Sequence, residues 1–166
     1  MYCNVQQDID TAMHFDRRLF EKTREDEDFL HIYLGQGTIA SSRPIDYKKQ
    51  ERLEVGDELT EMPEKIYQLF EHIDGAPICS DMKDSNAIGI VGTKEALYGM
   101  FKNIVIDIAV RHYYGDVRLY MLVDDEKRYQ WARFLPHLMN AGGIRNIVFD
   151  NESKNNIFES LFRELT

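Results

Sequence analysis

Apolar residues recur along this chain with two different periods, and the switches between them lay out its elements. Val5, Ile9, Ala12 and Met13 stand at i, i+4, i+7 and i+8, a spacing that predicts a helix over residues 5–15. Phe29, Ile32 and Leu34 then lead into Gly35-Gln36-Gly37 and on to Thr38, Ile39 and Ala40. This order predicts a β-hairpin over 29–43 whose turn uses glycine for positive φ. Pro44 limits how far its second strand can enter a sheet. Residues 45–60 are polar and charged and read as a surface loop. Pro63 suits the first turn of a helix over Pro63–His72, with Ile66, Leu69, Phe70 and Ile73 on one face, and His72 to Gly75 reads as its end.

The second half alternates more regularly. "APICSD" (76–81) and "AIGIVG" (87–92) read as two short buried strands around the polar turn 82–86. Thr93 is a natural N-cap for a helix through Tyr113. That helix carries Leu97, Met100, Phe101, Ile104, Val105 and Ile108, with Ile106 and Val110 on a second face, so it belongs between layers. Within it Asp107 and Arg111 stand at i, i+4 and can pair. Val117 to Val123 is nearly all apolar, as in a parallel strand covered on both faces. Trp131, Phe134, Leu135 and Leu138 predict a helix over 126–139, "RNIVFD" (145–150) a further strand, and Ile157, Phe158, Leu161, Phe162 and Leu165 a helix over 153–165. Strand and helix in alternation imply one layered α/β domain with a largely parallel sheet, the hairpin lying at its edge. The last helix reaches Thr166 with no terminating glycine or proline, which predicts a piece of a longer protein.

Composition narrows the function. The 166 residues are 43% hydrophobic and 30% charged, enough for a core and a solvated surface. No apolar run approaches the roughly 18 to 20 residues of a membrane helix, and the start lacks a signal-peptide pattern. A net charge of -9 argues against a nucleic-acid surface, which needs concentrated Lys and Arg. Cys3 and Cys79 are too few and too distant for a disulfide framework, and no Cys/His cluster suggests a metal. A reducing compartment follows.

Two stretches have the outline of nucleotide chemistry. In "AIGIVGTKEALYGMF" an apolar run reaches Gly92, Thr93 and Lys94 before a long helix. A working phosphate loop needs G-x-x-x-x-G-K-[ST], so that backbone amides wrap the phosphates and Lys neutralises them. No Gly-Lys-Ser/Thr occurs here, and Glu95 opposes an incoming phosphate. "RLYMLVDDE" (118–126) likewise has the form of a Walker B strand ending in Asp124 and Asp125. Without a phosphate loop these acids have nothing to coordinate, and capping the following helix explains them. A response-regulator receiver reading fails because only 40 residues follow Glu126. Cys79, Ser80 and Asp81 stand in no motif-like spacing with His14, His31, His72, His112 or His137, so Cys79 reads as a structural thiol and His137 as a backbone-bonded helix end. The "REDED" run at 24–28 reads as a solvated face.

Several phrases taken together resemble a family. "FDRRLFEKTREDEDFLHIYLGQGT" (15–38) resembles the DRRLWER…DPDFLxLRLGxG block that follows the membrane helices of type VII secretion ATPases, the EssC/EccC proteins of the FtsK/SpoIIIE group. Residues 87–126 resemble the family's inactive strand–loop–helix and its DVxLxxLxD strand, and "YQWARFLPHL" (129–138) its WxWxxxLPH signature. Phe20 stands where the family often has Trp. The resemblance covers about residues 10–165. It implies a three-layer RecA-like (P-loop-NTPase-like) α/β domain with a degenerate phosphate loop at Gly92, Thr93 and Lys94 and a degenerate Walker B at Asp124 and Asp125. It also implies a domain without catalytic residues, cofactor or metal. Such a domain lies on the cytoplasmic face of the membrane, between the transmembrane segment and the first motor domain. Its implied partners are the other domains of the same ATPase and membrane components of the secretion machine, with a homo-oligomer in the full assembly. Trp131–Leu138 is the candidate contact segment, against the alternative that these side chains face the sheet. Two other functions stay open: a residual nucleotide sensor at Gly92–Lys94 and Asp124–Asp125, and a free-standing adaptor.

Overall fold

The structure is a computed structural model, and it describes residues 5–42, 58–85 and 87–166. The expected loop over 45–60 and the proline limit at Pro44 fall mostly outside these residues. In chain order the elements are α1 (Val5–His14), β1 (His31–Ala40), α2 (Glu58–Phe70), β2 (His72–Asp81), α3 (Lys94–Arg111), β3 (Met121–Leu122), α4 (Glu126–Tyr129), β4 (Ile147–Val148) and α5 (Asn151–Leu165).

The hub is α3. Thr93 caps it, its Oγ1 accepting from the Ala96 amide at 3.4 Å, and the His112 amide closes the last turn on the Ile108 carbonyl at 3.0 Å. Its second half is buried from Val105 to Ile108 and again at Val110 and Arg111. One side takes α1 and β1. The other closes a core in which Val105, Met121, Ala132, Leu138 and Ile147 are buried together, with Phe101, Trp131 and Leu135 packed against them. The expected ion pair within the helix is present, Arg111 Nη1 standing 3.7 Å from Asp107 Oδ1.

The chain wraps the end of α3 through two strained residues. Phe20, at φ 57, donates its amide to the Val110 carbonyl at 2.8 Å. Leu30, at φ 62, donates its amide to His112 Nε2 at 3.0 Å and accepts from the Met82 amide at 3.0 Å. A left-handed conformation costs a branched or bulky residue of the order of 1–2 kcal/mol, and here bonds to other elements hold it in place.

Three features depart from the expectation drawn on the sequence. Residues 29–43 do not form a hairpin: β1 runs straight through Gly35-Gln36-Gly37 and pairs antiparallel with β2, from His31 opposite Asp81 to Ala40 opposite His72. The glycines serve bulges instead. Gly35, at φ 150, follows the register shift after Tyr33, and Gly75, at φ 67, sits in β2 where the register slips between Gly37 and Ile39. His72 to Gly75 therefore begin a strand and do not end a helix.

Second, the described residues form two two-stranded sheets, and the longer is antiparallel. A mostly parallel single sheet is not what they build. Between the strands the only parallel pairing among the described residues is that of β3 and β4, Met121 opposite Ile147 and Leu122 opposite Val148, with a single isolated parallel bridge from Lys22 to His112 elsewhere. Residues 87–92 make no strand, Val91 being 99% exposed, and Leu122 at 53% shows that β3 is not covered on both faces. The class remains α/β.

Third, the helix expected over 126–139 is one α-turn followed by 3-10 segments at Gln130–Phe134 and Pro136–Leu138. Pro136 forces the break, because the residue before a proline is driven out of the helical region, and Leu135 is extended at φ -76, ψ 126. Inside α2, Pro63 stands in the sixth position and not in the first turn, and Ile66, Leu69 and Phe70 face solvent among the described residues.

Candidate functional site

The loop before α3 and the end of β3 are 30 residues apart in sequence, yet they meet. Lys94 Nζ stands 3.6 Å from Asp124 Oδ2, both side chains well exposed. Beside them opens a cleft of about 400 Å3, lined by Ile90, Leu97, Phe101, Val123 and Tyr129 among others. Its aromatic wall is ordered by edge contacts, Tyr98 to Tyr129 at 5.4 Å and Phe101 to Tyr129 at 5.6 Å. The Arg128 guanidinium lies over the Tyr98 ring at 4.2 Å, and the Tyr98 hydroxyl donates to the Arg128 carbonyl at 3.1 Å.

The structure thus brings together Gly92, Thr93, Lys94, Asp124 and Asp125, and it gives most of them local work. Thr93 caps α3. Asp125 caps α4, its Oδ1 accepting from the Arg128 amide at 3.1 Å, as helix capping predicts. Asp124 holds Lys94. Gly92 has no left-handed φ, and a Cβ there would meet Ala96 and Leu97 only at 3.8 Å and beyond, an ordinary contact. Close approach of a neighbour is therefore not what keeps glycine at this position.

The other singled-out residues lie elsewhere. Cys79 is half-buried in β2 opposite Tyr33 and is not in a disulfide. Trp131, Leu135 and Leu138 face the core, Leu138 with no exposed surface, while Phe134 is 83% exposed, so of the apolar side chains in the proposed contact segment it presents Phe134 outward. His137 is buried and donates Nε2–H to the His112 carbonyl at 2.8 Å. The acidic run after Arg24 is ordered by its neighbours. Asp26 accepts from the Thr23 amide at 2.7 Å, Asp28 pairs with Lys22, and Arg24 reaches Asp116 at 2.9 Å. No group of three or more His, Cys, Asp and Glu side chains suited to a metal occurs among the described residues.

A second polar cluster was foreseen only in its Asp107–Arg111 pair. Asp8 and Thr11 of α1 and Asp107 and Arg111 of α3 are all buried where these helices meet. Arg111 donates through Nε and Nη2 to Glu21 Oε1 at 3.2 and 3.1 Å. Burial raises the Asp107 carboxyl to about 6 against the pull of Arg111, and burial likewise raises Asp8. Burial lowers His112 to about 4, and its Nε2 is already occupied as an acceptor for Leu30. The signal in the sequence was a pair of polar residues, three apart, in a short helix that has to bury one face.

Together these features define an α/β domain in which the loop leading into α3 adjoins the acid-ended strand β3. No family model matches the chain. Over 148 residues it is 28% identical to the type VII secretion system protein EssC of Staphylococcus aureus strain MSSA476, and equally to that of strain NCTC 8325. It is 25% identical over 159 residues to the ESX secretion system protein EccC of Geobacillus thermodenitrificans strain NG80-2. The matches take in 87% and 93% of this chain but 10% and 11% of those proteins, so the chain spans about a tenth of the curated relatives it matches. The chain is accordingly a relative of the EssC/EccC-type secretion proteins. Among the described residues, no helix is long and apolar enough to cross a membrane.

Proposed function

We propose that this chain is a non-catalytic domain of a type VII secretion ATPase, set on the cytoplasmic face of the membrane, where it couples the membrane-embedded part to the motor domains. In this reading the chain is one domain of a larger protein. Its partners are those neighbouring domains and the membrane components of the machine. Its fold derives from a RecA-like three-layer domain, of which the parallel pair β3 and β4, joined through helical turns, is the remnant. The observation that carries the proposal is how the loop is used. Thr93 and Asp125 cap their own helices, and Lys94 is engaged by Asp124, leaving no Gly-Lys-Ser/Thr set to hold a triphosphate.

The test uses the full-length protein. Lys94→Ala with Asp124→Ala leaves export and ATP hydrolysis at wild-type levels, whereas Leu138→Asp, which disrupts the core, stops export while the motor domains still hydrolyse ATP. Loss of hydrolysis in the double variant overturns the reading. A nucleotide sensor is the second reading, favoured by the approach of Lys94 to Asp124 beside an aromatic-walled cleft. Micromolar binding of a fluorescent ATP analogue with magnesium, lost in Lys94→Ala, selects it.

A further inference from the structure

The polar cluster under α1 has more acid than it can neutralise. Asp8, Glu21 and Asp107 all lie about Arg111, whose Nε and Nη2 are taken by Glu21, leaving Asp107 at 3.7 Å from Nη1. Arg18 adds a more distant positive charge from the loop after α1, and its Nε is itself 3.3 Å from Asp16. From β1 the Tyr33 amide favours the charged form of Asp107, and among the described residues the Lys22–Asp28 pair and His112 are the other charged and titratable groups nearby. Asp8, Thr11 and Asp107 are each 2% exposed. Even so, Asp8 Oδ2, Thr11 Oγ1 and both Asp107 oxygens have no well-formed hydrogen bond. A buried carboxylate left this way is costly in its charged form and inexpensive as a neutral acid, which can also donate.

We propose that α1 is seated on α3 through a proton-binding site: one proton taken up by the Asp8 and Asp107 carboxyls completes the interface, so the N-terminal helix grips the body more tightly as pH falls. The sign follows from linkage. A carboxyl whose folded value lies above its unfolded value makes the docked state take up a proton first. Docking therefore strengthens as pH falls through about 6 and stops strengthening near 4. Between pH 7.5 and 5 the gain amounts to about tenfold in the docking equilibrium. The device makes the seating of α1 responsive to the acidity around it, independently of the cleft at Lys94.

Hydrogen exchange of the α1 amides in the 166-residue chain tests this. After correction for intrinsic rates, protection over residues 5–14 rises about tenfold from pH 7.5 to 5. Asp107→Asn and Asp8→Asn, which mimic the neutral acid, keep protection at pH 7.5 and flatten its pH dependence. Should neither variant fold, the side-chain carboxyl signals of wild-type Asp8 and Asp107 are titrated by NMR, and one of them has its midpoint near 6. An unchanged pH dependence in the folded variants overturns the proposal, as does protection that falls on acidification. So do two carboxyls titrating in the ordinary range, or protection that follows sodium or calcium concentration at fixed pH.

Discussion

The carbonyl of His112 accepts the Nε2–H of His137 at 2.8 Å, while the His112 ring accepts the Leu30 amide at 3.0 Å. One residue at the end of α3 thus ties together the 3-10 turn before β4 and the strained entry to β1. Both imidazoles are neutral in the folded chain, burial lowering each, His112 to about 4.

Acidification therefore works against this junction. The unfolded chain protonates its histidines near 6.5 and the folded one does not, so the His112 contribution is present above that pH and is lost toward 4, by about 3 kcal/mol. Asp107 acts with the opposite sign in the same window, which flattens the global curve. His112→Gln costs about 1–3 kcal/mol at pH 7 through the Leu30 amide. Urea melts at pH 7, 5.5 and 4 should find the gap between wild type and variant closing as pH falls. A gap that widens contradicts a neutral buried His112.

Leu138 has no exposed surface and closes the core between β3, β4 and α3. Leu138→Ala lowers stability by about 2–5 kcal/mol, depending on how far the site collapses, read as a shift in the urea midpoint at constant slope. Phe134→Ala, four residues away on the surface, changes it by less than about 0.5 kcal/mol.

Gly92 and Gly35 separate by conformation. Gly92→Ala is neutral or stabilises by up to about 1 kcal/mol, since its φ suits any residue and the added methyl meets Ala96 and Leu97 only at ordinary contact distance. Gly35→Ala, at φ 150 in the bulge, destabilises by about 1 kcal/mol or more. Thermal melts of the two variants distinguish them, and a large loss in Gly92→Ala shows a backbone need not visible here.

The Lys94–Asp124 pair is mostly solvated, so breaking it with Lys94→Ala alters stability by less than about 0.5 kcal/mol, and that little disappears in high salt. A salt-resistant loss above 1 kcal/mol, measured in urea at low and high ionic strength, indicates a role the exposed geometry does not supply.

The central helix was the most legible element. Thr93, the run from Leu97 to Val110 and the Asp107–Arg111 spacing all act within a few residues of one another, and the helix forms from Lys94 to Arg111 under the expected cap. Asp125 after β3 was legible too, because capping is local, whereas Asp124, read as its companion in the cap, meets Lys94 instead. Gly35-Gln36-Gly37 misled for the converse reason. Nothing nearby distinguishes a tight turn from a bulge when the partner strand begins more than 30 residues later. Pro136 was in plain view, but a helical periodicity on both sides outweighed its steric veto.

Chain-local chemistry by itself determined α1, α3 and α5, the caps on the helices after residue 93, and the missing Gly-Lys-Ser/Thr that leaves Gly92 to Lys94 without a phosphate cradle. Capping, turn sterics and short-period burial need only neighbours a few residues apart. The tertiary structure alone decided that β1 pairs with β2, that Lys94 meets Asp124, and that Asp8 and Asp107 share one buried space. Those outcomes depend on which distant surfaces exclude water from one another, and burial is also what turns an ordinary aspartate into a group that titrates near 6.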